Sequence, residues 1–159
     1  MDIQFNIGIP TDAVDISKRW LNHILADTYV MFIKARKFHW QVKGLQFMEL
    51  HKHLQSIYEA LDEQGDTLAE RIRALDFIPF ATLKEFLDET EIKETPGSDP
   101  SAEEMISELL KDFEHLIEDT RKAANAAAEK NADMATNNML ISFLESHEKT
   151  CWMLSSYLK

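Results

Sequence analysis

The sequence is poor in the residues that interrupt helices and in the residue that cross-links chains. Its 159 residues include only four glycines, four prolines and one cysteine, Cys151. One cysteine excludes an intrachain disulfide and a zinc site made of several thiolates, and we expect Cys151 to be a small buried apolar residue. The scarcity of glycine and proline leaves long uninterrupted stretches, which are typical of an all-helical protein.

The sequence also lacks a long hydrophobic run and an excess of positive charge. No apolar segment approaches the roughly 20 residues that span a bilayer, and the first residues do not resemble a signal peptide, so we predict a cytoplasmic protein without a membrane partner. The 28 acidic residues outnumber the 17 lysines and arginines, which gives a formal net charge of −11. This balance disfavours a surface that binds phosphate and favours metal cations as partners.

Apolar residues recur with helical spacing along four stretches of the chain. Because 45% of the residues are hydrophobic and 28% are charged, we expect one globular domain over residues 1–159. Spacing of three or four positions predicts four helices that each bury one face. The first begins at Thr11 or Asp12 and ends near Gly44, and the second carries an apolar stripe from Phe47 to Leu75.

The connection between the second and third predicted helices is unusually long. It contains about 25 residues, too many for a tight turn between antiparallel neighbours. Capping boxes at Thr82–Glu85 and Ser101–Glu104 predict a short helix inside the connection and the start of the third helix. A last apolar stripe covers Leu140–Leu158. Four long helices with one long crossover predict an all-α, ferritin-like four-helix bundle.

Polar residues with metal-binding chemistry form a second stripe on the second helix. At about 100° per residue they share one face, which lies roughly a third of a turn away from the apolar stripe and so outside the chain's own core. His51 and Glu70 lie roughly 28 Å apart along a helix, so one chain cannot hold one ion with both. The stripe consists of His51, Gln55, Asp62, Asp66 and Glu70, and His39 precedes it at the end of the first helix.

Two antiparallel copies of the second helix would bring the ends of this stripe together across a twofold axis. Positions 51 and 70 have their midpoint at 60.5, as do positions 55 and 66. One crossing point therefore places His51 beside the partner's Glu70, in a ligand set that suits Fe(II). Solvated or salt-bridged residues remain the alternative interpretation. None of the six histidines follows the Glu-x-x-His pattern of iron sites within one chain.

Several segments resemble the Dps proteins, the miniferritins, over nearly the whole chain. The resemblance implies a dodecamer that encloses a cavity, with ferroxidase centres at the twofold interfaces. It implies oxidation of Fe(II), typically by hydrogen peroxide, with iron storage, iron homeostasis and protection from oxidative stress as the result. The similar segments are His39-Trp40-x-x-x-Gly44-x-x-Phe47-x-x-x-His51, Asp66-x-x-Ala69-Glu70-Arg71, Thr82–Phe86, Asn138–Ile141 and His147-Glu-Lys-x-x-Trp152-Met153.

Carried over by position, the resemblance implies a catalytic centre whose ligands come from two subunits. His39 and His51 would bind iron from one subunit, and Asp66 and Glu70 from the other. Trp40 lies next to His39 in the sequence and is either an oxidisable electron reservoir for the centre or a packing residue of the interface.

Gln55 departs from the family pattern, which usually has an aspartate at this position. Because a neutral amide binds a hard cation more weakly than a carboxylate does, we expect Gln55 to be a weak ligand or to contact a ligand only. One iron position should therefore be firm and the other weaker. Asp62 and Glu59 are candidates to compensate for the missing charge.

The remaining polar candidates have ordinary structural interpretations beside the functional ones. Asp133 is a candidate residue for an iron-entry pore, with Glu129 as a second, although both could simply be charges at a helix terminus. We expect His147 to be a buried core residue. The other three histidines are expected at the surface: His23, His53 and His115.

Two other functions stay open on sequence alone. Dps proteins that bind DNA directly tend to use lysine-rich tails, but no base precedes Lys18 and the net charge is −11. Direct DNA binding is therefore not expected. The other alternative is a cage whose ferroxidase site is impaired by Gln55.

Overall fold

The computed structural model describes residues 6–129 and 133–159, and these two ranges form five α-helices and no strand. Four helices are long and the third is a short one inside the crossover, which confirms the predicted all-α bundle. No helix in the described ranges is long and apolar enough to cross a membrane. The helices are α1 (Thr11–Gln41), α2 (Phe47–Ala74), α3 (Leu83–Glu89), α4 (Ala102–Ala128) and α5 (Met134–Tyr157).

Local sequence signals fix most helix ends where they were predicted. Both capping boxes form, because Thr82 and Ser101 each accept a hydrogen bond from the backbone three residues later and the glutamate there bonds back. Gly44 lies in the turn between α1 and α2 with φ 112°, a conformation that side-chain-bearing residues rarely adopt. Helix α5 begins at Met134, earlier than its apolar stripe indicates, because Asp133 caps it.

Helix α1 is the centre of the bundle, since it packs against α2, α3 and α4, while α5 packs mainly on α4. Lys34 of α1 donates to Asp112 of α4 at 2.6 Å, whereas His23 lies beside Asp119. Because the residue numbers rise on α1 as they fall on α4, the two helices are antiparallel. The largest fully buried side chains include Phe38, Leu54, Leu61, Leu68, Ile72 and Leu109.

The crossover is attached to the bundle by an aromatic contact. Phe86 of α3 stacks on Tyr29 of α1 with ring centroids 4.7 Å apart. The Tyr29 ring also lies against Gly65, where an added Cβ would be only 3.0 Å from Tyr29 Cε2. Gly65 therefore allows α1 and α2 to approach closely in the middle of the polar stripe.

Candidate metal centre

His39, in the last turn of α1, and His51, in the second turn of α2, lie face to face. Their ring centroids are 3.7 Å apart and the planes are inclined by 24°. The Nδ1 atom of His39 lies 2.7 Å from the backbone oxygen of His51, and Nδ1 of His51 lies 2.9 Å from the backbone oxygen of His39. A carbonyl oxygen only accepts, so each Nδ1 donates and each neutral ring keeps its lone pair on Nε2. This tautomer is the one that a metal-binding histidine needs.

Aromatic side chains border the histidine pair. His39 is 8% exposed and has the ring of Tyr58 edge-on at 5.3 Å. Phe47 lies 4.9 Å from the ring of His51. Tyr58 was not among the predicted site residues, although it follows His51 by two helical turns and so shares its face of α2. The Tyr58 and Phe47 side chains hold the two imidazole rings in place and reduce the access of water to His39.

The acidic half of the stripe lies on the surface of α2. Asp62, Asp66 and Glu70 are exposed, on the face that the spacing predicted to lie outside the core. Helix α2 is continuous from Phe47 to Ala74, so roughly 28 Å separates His51 from Glu70 within one chain. The structure therefore brings the two histidines together and leaves the carboxylates at the far end of the stripe.

Two residues near the middle of the stripe have partners of their own. Gln55 donates from Nε2 to Oε1 of Glu59 at 2.7 Å. Its amide is therefore paired with one of the two acids predicted to compensate for the missing charge at this position. Burial, with the charges of Asp62 and Asp66, raises the pKa of the Tyr29 phenol. The phenol therefore stays protonated beside these carboxylates at neutral pH.

Trp40 projects from the end of α1 and is 71% exposed. The guanidinium of Arg36 lies 5.8 Å from its ring centroid and 5.2 Å from that of Tyr58, so Arg36 links the indole to the aromatic border of the histidine pair. Both interpretations of Trp40, electron reservoir and interface packing, remain predictions.

Asp133 does not have the position expected of a pore residue. It is 1% exposed, and its Oδ1 accepts hydrogen bonds from Arg71 at 2.7 Å and from the backbone of Thr136 at 3.0 Å. Ser17 donates to Oδ2. Burial alone would raise the pKa of Asp133, but these partners outweigh it and lower the pKa. The pore assignment is wrong because the carboxylate is buried inside the subunit, where it caps α5. Glu129 is exposed, and its pore role stays a prediction.

Two residues interpreted as core residues are largely as expected. His147 is buried, as predicted, and its Nε2 lies 2.7 Å from Oε1 of Gln64. Burial lowers the pKa of His147 to about 4. Cys151 is half-buried rather than fully buried, and burial raises the pKa of its thiol to about 11, which makes it unreactive at neutral pH.

The three further histidines predicted at the surface are only partly exposed. His53 is half-buried, and burial lowers its pKa. His23 and His115 are also half-buried, and both rings are directed at Asp27 and Asp119. The available signal was a His-x-x-x-Asp pattern on both α1 and α4, but only the packing of these two helices shows that the patterns meet.

The comparisons with known proteins agree with this architecture. The ferritin-like domain family matches residues 19–159. The chain is 35% identical to the DNA protection during starvation protein of Listeria innocua over 89% of this chain and 91% of that protein. It is 36% identical to the protein of that name from Helicobacter pylori over 87% and 95% of the two chains.

Solved structures match over almost the full length. A Dps protein from Bacillus brevis superimposes with a TM-score of 0.89 and 35% identity, over 95% of this chain and 100% of that one. The DPS protein of Vibrio cholerae, described as a member of a broad superfamily of ferritin-like diiron-carboxylate proteins, gives a TM-score of 0.92 and 29% identity over 100% and 99%. The described residues form five helices in the same arrangement, and α1 and α2 carry the sequence motifs of the family. The chain therefore belongs to the Dps family, the miniferritins among the ferritin-like proteins.

Proposed function

We propose that this protein oxidises Fe(II) at centres shared between two subunits and stores the ferric product inside a shell of identical copies. The observation that carries this proposal is the histidine pair. His39 and His51 hold each other through Nδ1 and the backbone, so both Nε2 lone pairs are available to an ion without rearrangement. Membership of the Dps family supports iron as that ion.

The carboxylates of a second subunit complete the proposed centre. In a twofold pair with α2 antiparallel to itself, the partner's Asp66 and the partner's Glu70 lie opposite the histidines of the first subunit. Imidazole accepts Fe(II), while carboxylate oxygens stabilise the harder ferric ion and so favour oxidation. Hydrogen peroxide takes one electron from each of two ferrous ions, consumes two protons and leaves as two water molecules.

Exposed apolar side chains beside the histidine pair support its burial between subunits. Trp40, Leu45, Phe47 and Met48 are all exposed around the turn that joins α1 to α2. Such a cluster on one face of a soluble chain indicates an interaction surface. The family resemblance favours a second copy as the occupant and twelve copies as the full shell. The net charge of −11 for each chain would then attract ferrous ions to the shell.

Rapid mixing of Fe(II) with the protein tests this proposal. Under anaerobic conditions with stoichiometric peroxide, the unmodified protein should form ferric product faster than buffer alone does. The double variant H39A/H51A should be slower by about 100-fold or more, because it lacks both nitrogen ligands. Its assembly, measured by light scattering, should not change.

A matched control separates loss of ligands from loss of any histidine. H53Q alters a half-buried histidine outside the centre and should retain the rate of the unmodified protein. If the unmodified protein oxidises Fe(II) no faster than buffer does, the cage is catalytically silent, as the Gln55–Glu59 pairing would allow. If H39A/H51A keeps the full rate, the assignment of the centre is wrong. Repeating the measurement with air in place of peroxide identifies the preferred oxidant.

The name of the relatives raises a DNA-binding function, which the charge of this chain opposes. An assembly of acidic chains repels the phosphate backbone, and affinity for DNA comes largely from lysine and arginine contacts to phosphate. We expect no retardation of DNA in a gel at low salt without divalent cations. Clear retardation under those conditions would overturn this expectation.

A further inference from the structure

Two His-x-x-x-Asp patterns meet between α1 and α4, far along the bundle from the histidine pair of the proposed ferroxidase centre. His23 and Asp27 lie one turn apart on α1, and His115 and Asp119 lie one turn apart on α4, so each pair shares a helix face. The antiparallel packing brings the two faces together. One ligand atom from each of the four residues, which we call the α1–α4 cluster, lies within 4.8 Å of the other three.

Four nitrogen–oxygen distances within the α1–α4 cluster match the edge lengths of a tetrahedral metal site. Oδ2 of Asp119 is 3.3 Å from Nε2 of both His23 and His115. Oδ2 of Asp27 is 3.7 Å and 3.5 Å from the same two nitrogens. An ion bound tetrahedrally at about 2.0–2.2 Å holds its ligands roughly 3.3–3.6 Å apart.

Hydrogen bonding explains these distances less well. Of the four nitrogen–oxygen contacts, only the one between Nε2 of His23 and Oδ2 of Asp119 is a hydrogen bond, and at 3.3 Å it is longer than the usual range of about 2.7–3.2 Å. Asp27 is fully buried, yet its Oδ2 has no hydrogen-bond partner, and neither has the buried Nε2 of His115. An unpaired carboxylate oxygen in a fully buried side chain is costly unless a cation neutralises it. The cluster is thus arranged around a shared point, with one long hydrogen bond between His23 and Asp119 and no partner for Oδ2 of Asp27 or Nε2 of His115.

Each carboxylate of the cluster is held by partners on the oxygen that faces away from it. Asp27 accepts hydrogen bonds at Oδ1 from the hydroxyl of Thr90 at 2.5 Å and from the backbone of Glu91 at 3.0 Å. Asp119 accepts at Oδ1 from Lys122 at 2.9 Å. Both side chains are therefore oriented with Oδ2 towards the shared point, as supporting contacts orient the ligands of known metal sites.

His23 is oriented in a similar way, and both histidines of the cluster lie near the surface. Nδ1 of His23 is 3.4 Å from Oε1 of Glu89, an arrangement in which a carboxylate supports a metal-binding imidazole. Oε2 of Glu91 lies 3.8 Å from Nε2 of His115, the nitrogen that faces the shared point. His23 lines an open groove of about 680 Å³ together with Trp20 and Phe80, which gives an ion a path to the site.

We propose that the α1–α4 cluster binds one divalent transition-metal ion per chain in tetrahedral geometry, and that Zn²⁺ fits it best. Two carboxylates and two neutral imidazoles balance the ion's charge, and nitrogen and oxygen donors in a tetrahedron suit zinc. The site lies within a single chain. It does not depend on the twofold pair or on the proposed iron oxidation.

Cobalt(II) is the probe for this site, because tetrahedral Co²⁺ absorbs visible light far more strongly than octahedral Co²⁺ does. The assembled, metal-free protein with H39A/H51A, which removes the inter-subunit histidines, should show intense visible bands that saturate at one ion per chain. Zn²⁺ should displace the cobalt and abolish the bands. Octahedral bands alone, or no binding, would overturn the proposal.

Two variants identify the ligands on this background. H115Q changes a half-buried residue and should abolish the tetrahedral bands, whereas the matched control H53Q, also at a half-buried histidine, should keep them. E89Q removes only the charge behind His23 and should weaken Co²⁺ binding by about 10-fold or more. Unchanged bands in H115Q would show that the cobalt lies elsewhere.

A crystal of the unmodified protein soaked in Zn²⁺ gives a test that does not depend on the folding of any variant. An anomalous difference peak at about 2.0–2.2 Å from the Oδ2 atoms and the Nε2 atoms of the cluster is expected. A soaked crystal without a peak between α1 and α4 would overturn the proposal. Loss of iron oxidation in H39A/H51A, with the peak retained, would separate this site from the ferroxidase centre.

Discussion

The histidines of this protein differ in which ring nitrogen is in contact with other protein groups. In His39 and His51 the backbone binds Nδ1, which leaves Nε2 available to an ion. In His147 the contact is reversed, because Nε2 lies against Gln64 and Nδ1 is buried without a partner. The same residue type is thus prepared for a metal in one place and for an uncharged core position in another.

The neutral state of His147 makes stability depend on pH. Burial lowers its pKa in the folded chain to about 4, whereas an unfolded histidine titrates near 6.5. Between these values the unfolded chain binds more protons, so the free energy of unfolding decreases as pH falls. The contribution is complete above pH 6.5 and is lost towards pH 4, by about 3 kcal/mol in total.

Replacing His147 by leucine tests this dependence. H147L keeps an apolar side chain against Phe113 and Phe143 and has no proton to take up, so it should lose less stability than the unmodified protein over that pH range. Urea denaturation at several pH values and one protein concentration measures the difference, since the unfolding of an oligomer depends on concentration. Parallel pH curves for the two proteins would contradict the role given to His147.

At the scale of helices, Gly65 controls how closely α1 and α2 approach. G65A should gain up to about 1 kcal/mol of helix propensity. However, the new Cβ would lie 3.0 Å from Cε2 of Tyr29, whose ring is stacked on Phe86 and has little room to retreat. We expect a net loss of about 1 kcal/mol, because overpacking a filled position usually costs more than propensity gives.

The sign of this effect should reverse when the neighbouring ring is absent. In a Y29A background the clash is gone, so G65A should stabilise the chain through helix propensity alone. Thermal or urea unfolding of the four proteins in this cycle measures both values. A destabilising G65A in both backgrounds would show that the contact with Tyr29 is not the cause.

The helices were predictable from sequence because their signals are local. The apolar spacing and the two capping boxes involve residues within one or two turns, and α1, α3 and α4 begin where these signals indicate. The exposed polar stripe was predictable for the same reason, since it lies on one helix. Asp133, His23 and His115 were misjudged because their partners lie on other helices, and only the packing of the bundle shows which faces meet.

For the whole molecule, the proposed ferroxidase centre makes activity a property of pairs of subunits. Each chain carries a histidine pair at one end of α2 and carboxylates at the other, roughly 28 Å apart. A chain with H51A still offers Glu70 to its partner, and a chain with E70A still offers His51. A twofold pair of one such chain with the other therefore has one intact centre and one that lacks both residues.

Mixed shells of the two variants should recover activity that neither has alone. If H51A and E70A subunits combine at random, half of the twofold pairs are mixed, and about a quarter of all centres are intact. The rate of Fe(II) oxidation by peroxide should rise to about a quarter of that of the unmodified protein.

A mixture of H51A with H39A is the matched control for this recovery. Every centre in it lacks one histidine, whichever subunits pair, so no activity should return. Recovery only in the H51A and E70A mixture would place His51 of one chain and Glu70 of another in the same centre. Equal rates in the two mixtures would show that the residues do not act across the interface, and the shared centre would have to be abandoned.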